Sequence, residues 1–119
     1  MKLSRIKMSS DVSNKLLYLQ TRTCLTPNIL MRIGFGLSLR DKSLLEPDKY
    51  PEDGKELNRY TITGEYDLVF VTLLKEWMAR NNILLDNATM INYFRAHLNR
   101  GAQLLQSRTK SLVDIAYLD

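Results

Sequence analysis

Cysteine and histidine are almost absent from this sequence, which has one of each among 119 residues. The single cysteine excludes an internal disulfide, and the single histidine excludes a metal site built from several histidines, so we expect no metal and no cofactor. The longest strictly apolar run, residues 68–71, is far too short to cross a bilayer. The first ten residues are basic but lack the apolar centre of a signal peptide, so a cytoplasmic location is expected.

What remains is the composition of a globular domain, with 45% hydrophobic and 25% charged residues. The length favours a single domain, residues 1–119. The charge is uneven, because residues 1–45 carry a net charge of +6, residues 46–67 carry −4 and the rest carry +2. A basic first third suits a polyanion such as nucleic acid, although the same charge would also keep a small domain in solution.

The hydrophobic pattern predicts a mainly α fold with a short N-terminal strand. Alternation over residues 3–9 predicts the strand, and no second clear strand follows, so its expected partner is the same strand of another copy. An irregular acidic loop is expected at 45–63, with one helical turn near 55–59. Helices are predicted at residues 10–21, 26–40, 65–81, 88–106 and 111–118.

The helix at 26–40 is predicted to be central, because it is apolar on more than one face. Thr26 suits the N-cap and Pro27 the first helical position. Gly34 and Gly36 are poor helix formers, so we expect them to allow close approach of another backbone. Part of the second apolar face is predicted to contact a second copy through Met31, Phe35 and Leu39.

The order of strand, helix, short link and helix resembles the start of a ribbon-helix-helix unit, although the usual glycine between the helices is missing. In that family two chains pair their strands and the ribbon enters the DNA major groove. The resemblance, the unpaired strand and the apolar faces predict a homo-oligomer, either a dimer or a tetramer. We expect contacts with the DNA backbone from Lys2, Arg5, Lys7, Lys15, Arg22, Thr26 and Asn28.

Catalytic residues are not predicted. A nucleophilic Cys24 with His97 as its base is the best pairing available, but an isolated cysteine beside Leu25 is more typical of a packed residue. His97 and Arg100 are expected at an oligomer seam or in solvent. Arg59 is expected to form a structural ion pair with one of two neighbouring carboxylates, Glu65 or Asp67.

Several ordered segments resemble the DndE family, the small subunit of the bacterial DNA phosphorothioation, or DNA sulfur modification, system. They are NRYT at 58–61, GEYD at 64–67, HLNRG at 97–101, RT at 22–23, LTPN at 25–28 and GLSL at 36–39. The resemblance spans almost the whole chain. It implies a DNA-binding accessory protein, not an enzyme, that works with DndC and DndD while other subunits carry out the sulfur chemistry.

The resemblance leaves alternatives open. Because sulfur replaces a backbone oxygen, a strand break is one conceivable intermediate, and a preference for nicked or distorted duplex is a reasonable hypothesis. The chain could instead be a scaffold for other Dnd proteins without DNA contact, or a sulfur carrier using Cys24. The acidic residues 46–56 are expected to be exposed and to point away from DNA, because they would repel phosphates.

Overall fold

The helices and strands follow one another in the order that the sequence indicates, with one unpredicted strand. The computed structural model describes residues 1–110 and 112–118, so the predicted start of the closing helix, Ser111, lies outside the described residues. The elements are β1 (Arg5–Lys7), α1 (Ser10–Thr23), α2 (Pro27–Arg40), β2 (Glu56–Asn58), α3 (Arg59–Thr63), α4 (Asp67–Arg80), α5 (Asn87–Arg108) and α6 (Leu112–Ile115). The predicted mainly α architecture is confirmed.

Short polar side chains start two of the long helices. The Ser9 hydroxyl accepts a hydrogen bond from the Val12 amide at 3.2 Å, and Asp86 accepts one from the Thr89 amide at 2.8 Å. These caps satisfy amides that have no partner inside the helix. Thr26 occupies the N-cap of α2 as predicted, but its side chain makes no capping hydrogen bond there.

Strand β1 pairs with β2 of the same chain, antiparallel, with Ile6 opposite Leu57. The prediction that β1 lacks an internal partner and pairs with another copy is therefore wrong. Strand β2 is only three residues long and follows a segment broken by Pro51 and Gly54, so it has no alternation signal of its own. The helical turn predicted near 55–59 lies at α3 instead.

A buried arginine joins the sheet to the helices. Arg59 donates hydrogen bonds to the backbone oxygens of Met1 and Leu3 at 2.6 and 3.1 Å, and it forms a two-pronged pair with Asp67 at 2.8 and 2.9 Å. The predicted ion pair is thus confirmed, with Asp67 as the partner. Partial burial would raise the pKa of Asp67, but hydrogen bonds from Arg59 and Thr63 outweigh it and lower that pKa.

Removing the carboxylate should leave the Arg59 charge buried without its partner. We expect Asp67→Ala to reduce the free energy of unfolding by about 3 kcal/mol, measured by urea denaturation. The matched control is Glu76→Ala, which breaks the exposed 2.6 Å pair with Arg80 and should cost less than about 0.5 kcal/mol. If both variants lost the same free energy of unfolding, the pair between Arg59 and Asp67 would contribute no more than an exposed ion pair.

The core lies where α2 crosses α5. Gly34 and Gly101 meet backbone to backbone at the crossing, which confirms the close approach predicted for Gly34, whereas Gly36 faces open space. Met31 and Phe35 are fully buried within this chain, and the Phe35 ring packs against Phe94 at 5.8 Å. Their predicted place on a seam with a second copy is therefore wrong, because other helices of the same chain cover this face of α2.

The pattern of apolar residues had shown how much of α2 is buried, but not which surface buries it. Leu39, the third residue of the predicted seam, is half-buried and also packs against the core.

Across residues 1–110 and 112–118, no helix is long and apolar enough to span a membrane.

Candidate nucleic-acid interface

The two-stranded sheet turns one face inward and presents the other to solvent. Ile6 is buried and Leu57 half-buried, whereas the alternate residues are exposed. We call this exposed surface the sheet face, and it consists of Arg5, Lys7, Glu56 and Asn58. Because side chains alternate along a strand, the two cations lie side by side, as a phosphate backbone would require.

Acidic residues share the sheet face with these cations. Arg5 Nη1 lies 3.8 Å from Glu56 Oε2, and Lys7 is directly opposite Glu56 in the strand register. Asp53 accepts hydrogen bonds from the Ser10 amide at 2.8 Å and the Ser10 hydroxyl at 3.2 Å. The backbone bond from Ser10, aided by the Lys7 charge, lowers the pKa of the Asp53 carboxyl.

The acidic segment 46–56 is therefore only partly as predicted. Most of its residues are exposed, as expected. The prediction that the segment points away from DNA stays a prediction, but Glu56 lies beside Arg5 and Lys7, two of the residues expected to contact DNA. The turn before β2 brings Asp53 and Glu56 back against β1, and the sequence gives no local signal for this pairing.

The start of α2 lies beside the inward side of β2, not beside the sheet face. A groove between α1, β2 and α2 is lined by residues that include Pro27, Lys55 and Leu57, and Leu57 alternates with the residues of the sheet face. The first turn of α2 has no acidic residue. Thr26 is exposed and Asn28 half-buried, and the free amides of a helix start attract phosphate.

Three other predicted cations are placed elsewhere or are already engaged. The Lys2 amide donates to Asn87 Oδ1 at 2.6 Å, so Lys2 lies at the start of α5. Lys15 forms a 3.1 Å pair with Asp11. Arg22 is exposed, with its guanidinium 5.3 Å from the ring centre of Tyr18.

The two residues considered for catalysis do not share a site. Cys24 is exposed, not packed as predicted, because it ends α1 in the left-handed conformation with a φ of 61°. His97 is fully buried in the middle of α5 and contacts Ser38, Phe35 and Trp77. The expectation that His97 and Arg100 lie at a seam or in solvent is also wrong, since both are buried.

The residues missed by sequence reasoning form a buried polar cluster. Arg100 Nε donates to Ser38 Oγ at 2.8 Å, and the same oxygen forms a 2.7 Å hydrogen bond with Nδ1 of His97, whose direction is set by the imidazole tautomer. Arg100 also donates to the backbone oxygen of Ser43 at 2.9 Å, so it holds the chain leaving α2. Only the placement of Ser38 and Arg100 on two crossing helices could have revealed the cluster.

Comparisons with known proteins agree with this architecture. The family model described as "DNA sulphur modification protein DndE" matches residues 5–112. The crystal structure of DndE from Escherichia coli B7A, involved in DNA phosphorothioation modification, is 27% identical, with a TM-score of 0.72, over 88% of this chain and 98% of that one. A DndE G21/24K mutant structure is 25% identical with a TM-score of 0.70, over 88% and 99%. A search of curated proteins found no match.

Proposed function

The chain belongs to the DndE family of DNA sulphur modification proteins, and from that premise we propose that it is the DNA-binding accessory subunit of the phosphorothioation machinery. In this role it contacts the backbone of double-stranded DNA and works beside other Dnd proteins, DndC and DndD. The comparisons indicate no catalytic enzyme family, and we propose that the chain itself performs no sulfur chemistry.

The observation that supports DNA binding best is the pair of exposed cations on the sheet face, Arg5 and Lys7. The first turn of α2 is a second candidate contact, because it has no acidic residue and its free amides can bind phosphate. Such groups contact phosphates and carry little information about base identity. We therefore propose a surface that follows the shape of the duplex and prefers nicked or distorted DNA, in which the backbone is easier to reshape.

The test is binding of labelled duplex DNA at low and moderate salt. We expect Arg5→Glu with Lys7→Glu to weaken binding by about 100-fold and to make it less dependent on salt, because two phosphate contacts are lost. The control is Lys49→Glu with Arg80→Glu, which changes the net charge equally away from the sheet face. If both double variants lost the same affinity, net charge and not this surface would account for binding.

Nicked and intact duplexes of the same sequence should be compared in that assay, and equal affinities would contradict the preference. If the folded wild-type protein bound neither DNA, the scaffold alternative would be favoured, in which the chain only holds DndC or DndD. The third alternative, sulfur carriage, has in its favour that the Cys24 thiol is exposed. A persulfide on Cys24, and loss of modification in cells for a folded Cys24→Ser variant, would support it.

We also propose that the protein is a homo-oligomer, a dimer or a tetramer, but through α4 and not through the buried face of α2. Leu68, Val69 and Leu73 are 78%, 52% and 42% exposed on α4, and Tyr66, just before the helix, is 52% exposed. Several exposed apolar residues on one helix are typical of a protein–protein contact surface. Exposed Glu65 and Lys75 lie at opposite ends of this segment. Antiparallel pairing of two copies would bring each acidic end to a basic end.

Light scattering at micromolar concentration should then give at least twice the 13.8 kDa chain mass. Leu68→Glu with Leu73→Glu is expected to yield a monomer, since a charge cannot be buried unpaired in an apolar interface. Leu44→Glu, at a leucine that is 81% exposed in another loop, is the control and should leave the mass unchanged. A monomeric wild-type protein would rule out the oligomer.

A further inference from the structure

The cations of the sheet face are exposed, but a carboxylate of the same chain lies next to them. Glu56 lies 3.8 Å from Arg5 and directly opposite Lys7. Asp53, three residues earlier, is held at the end of β1 by hydrogen bonds from the Ser10 amide at 2.8 Å and the Ser10 hydroxyl at 3.2 Å. A DNA phosphate that approached these cations would meet a like charge within the same few ångströms.

These carboxylates are held in place by the backbone and do not hang from a loose loop. The Gly54 amide donates to the Met8 oxygen at 2.7 Å, and the Met8 amide donates to the Lys55 oxygen at 3.0 Å. The Lys55 amide donates to Ser13 Oγ at 3.0 Å. A side chain at Gly54 would collide with the backbone of Ser9, so the turn follows β1 and α1 at the closest possible distance.

The two carboxylates differ from the other acidic residues of the segment. Glu46 pairs with Lys49 at 3.1 Å, and Asp48 lies in the same turn, next to Lys49. The segment therefore has two parts. In the first, Glu46 and Asp48 lie with Lys49, and in the second, Asp53 and Glu56 lie beside β1.

We propose that Asp53 and Glu56 limit the affinity of the sheet face for DNA by competing, as intrachain carboxylates, with phosphates for Arg5 and Lys7. This inference rests on the proposed function and concerns the same surface. A phosphate must displace a carboxylate before it can contact Arg5 or Lys7. Polyanions that make few other contacts with the protein are therefore expected to bind weakly. Exposed ion pairs are individually weak, which makes the displacement possible.

The experiment compares two double variants that change the net charge equally. Glu56→Gln with Asp53→Asn should bind labelled duplex DNA about tenfold more tightly than the wild type and with a steeper salt dependence, because two cations become available. Asn at 53 can still accept the hydrogen bond from the Ser10 amide, so the turn should be kept. The control, Glu46→Gln with Asp48→Asn, should improve binding by less than about twofold.

The second test repeats the neutralisation of Asp53 and Glu56 in a chain that lacks both cations. In a chain carrying Arg5→Gln and Lys7→Gln, neutralising Asp53 and Glu56 should give no more than the control gain, because the cations for which carboxylate and phosphate compete are gone. Equal gains for the two double variants, or an undiminished gain in that background, would overturn the inference.

The outcomes also separate this inference from the proposed function. Wild-type binding with no gain from Glu56→Gln and Asp53→Asn overturns the inference and leaves DNA binding intact. Binding by the neutralised variant alone would support the inference and would contradict DNA binding by the wild-type chain. If neither folded protein bound DNA at low salt, both the proposed function and the inference would be wrong.

Discussion

Gly34→Ala is expected to destabilise the fold by about 4 kcal/mol or more, which places it among the exceptional single substitutions. A methyl group on Gly34 would lie 2.7 Å from the carbonyl carbon of Gly101 and 2.8 Å from its oxygen. These atoms belong to the backbone of α5 and cannot rotate away. To admit the methyl group, α2 and α5 would have to separate at the centre of the core, and neighbouring side chains would lose their contacts.

The matched control is two residues further along the same helix. Gly36 is exposed, and apart from the backbone of its own helix and its chain neighbours no atom lies within 4 Å of an added methyl group. Gly36→Ala should therefore stabilise the protein by about 1 kcal/mol through helix propensity alone. Urea denaturation of both variants separates the steric cost from propensity, and a stable Gly34→Ala protein would contradict the close crossing.

Acidification is expected to lower the free energy of unfolding well before the carboxylates titrate. Burial, together with the charge of Arg100, lowers the pKa of His97 from 6.5 to about 3. Between these values the unfolded chain binds a proton that the folded chain does not. The free energy of unfolding is therefore constant above pH 6.5 and falls below it by about 1.4 kcal/mol per pH unit, or about 3 kcal/mol at pH 4.

The measurement is urea denaturation at a series of pH values between 7 and 4. His97 is the one histidine of the chain, so the slope between pH 6.5 and 4.5 is attributable to it. His97→Gln keeps a polar side chain that can hydrogen-bond Ser38 but cannot titrate, and it should remove this slope. Asp67, whose pKa is lowered, loses its stabilising effect only as the pH falls below its ordinary value of 3.8. If the free energy of unfolding did not change with pH down to 4.5, His97 would have its ordinary pKa in the folded chain.

The sequence alone determined the helices and the way they begin. Hydrophobic periodicity, Pro27 at the start of α2 and Asp86 before α5 are local signals, since a helix forms between residues close together in the chain. The apolar circumference of α2 likewise indicated a buried helix, and Gly34 indicated a close crossing. The acidic segment and the basic first third were also visible as composition.

Only the tertiary structure decided what each surface meets. Strand pairing joins residues that are far apart in the chain. Alternation therefore could not show that β1 pairs with β2 or that Glu56 lies opposite Lys7. Apolar periodicity shows how much of a helix is buried but does not show which surface buries it. It therefore could not tell that Phe35 packs in the core of its own chain and not against a second copy. His97 is buried because two helices cross beside it and supply Ser38, an arrangement set by packing over the whole chain.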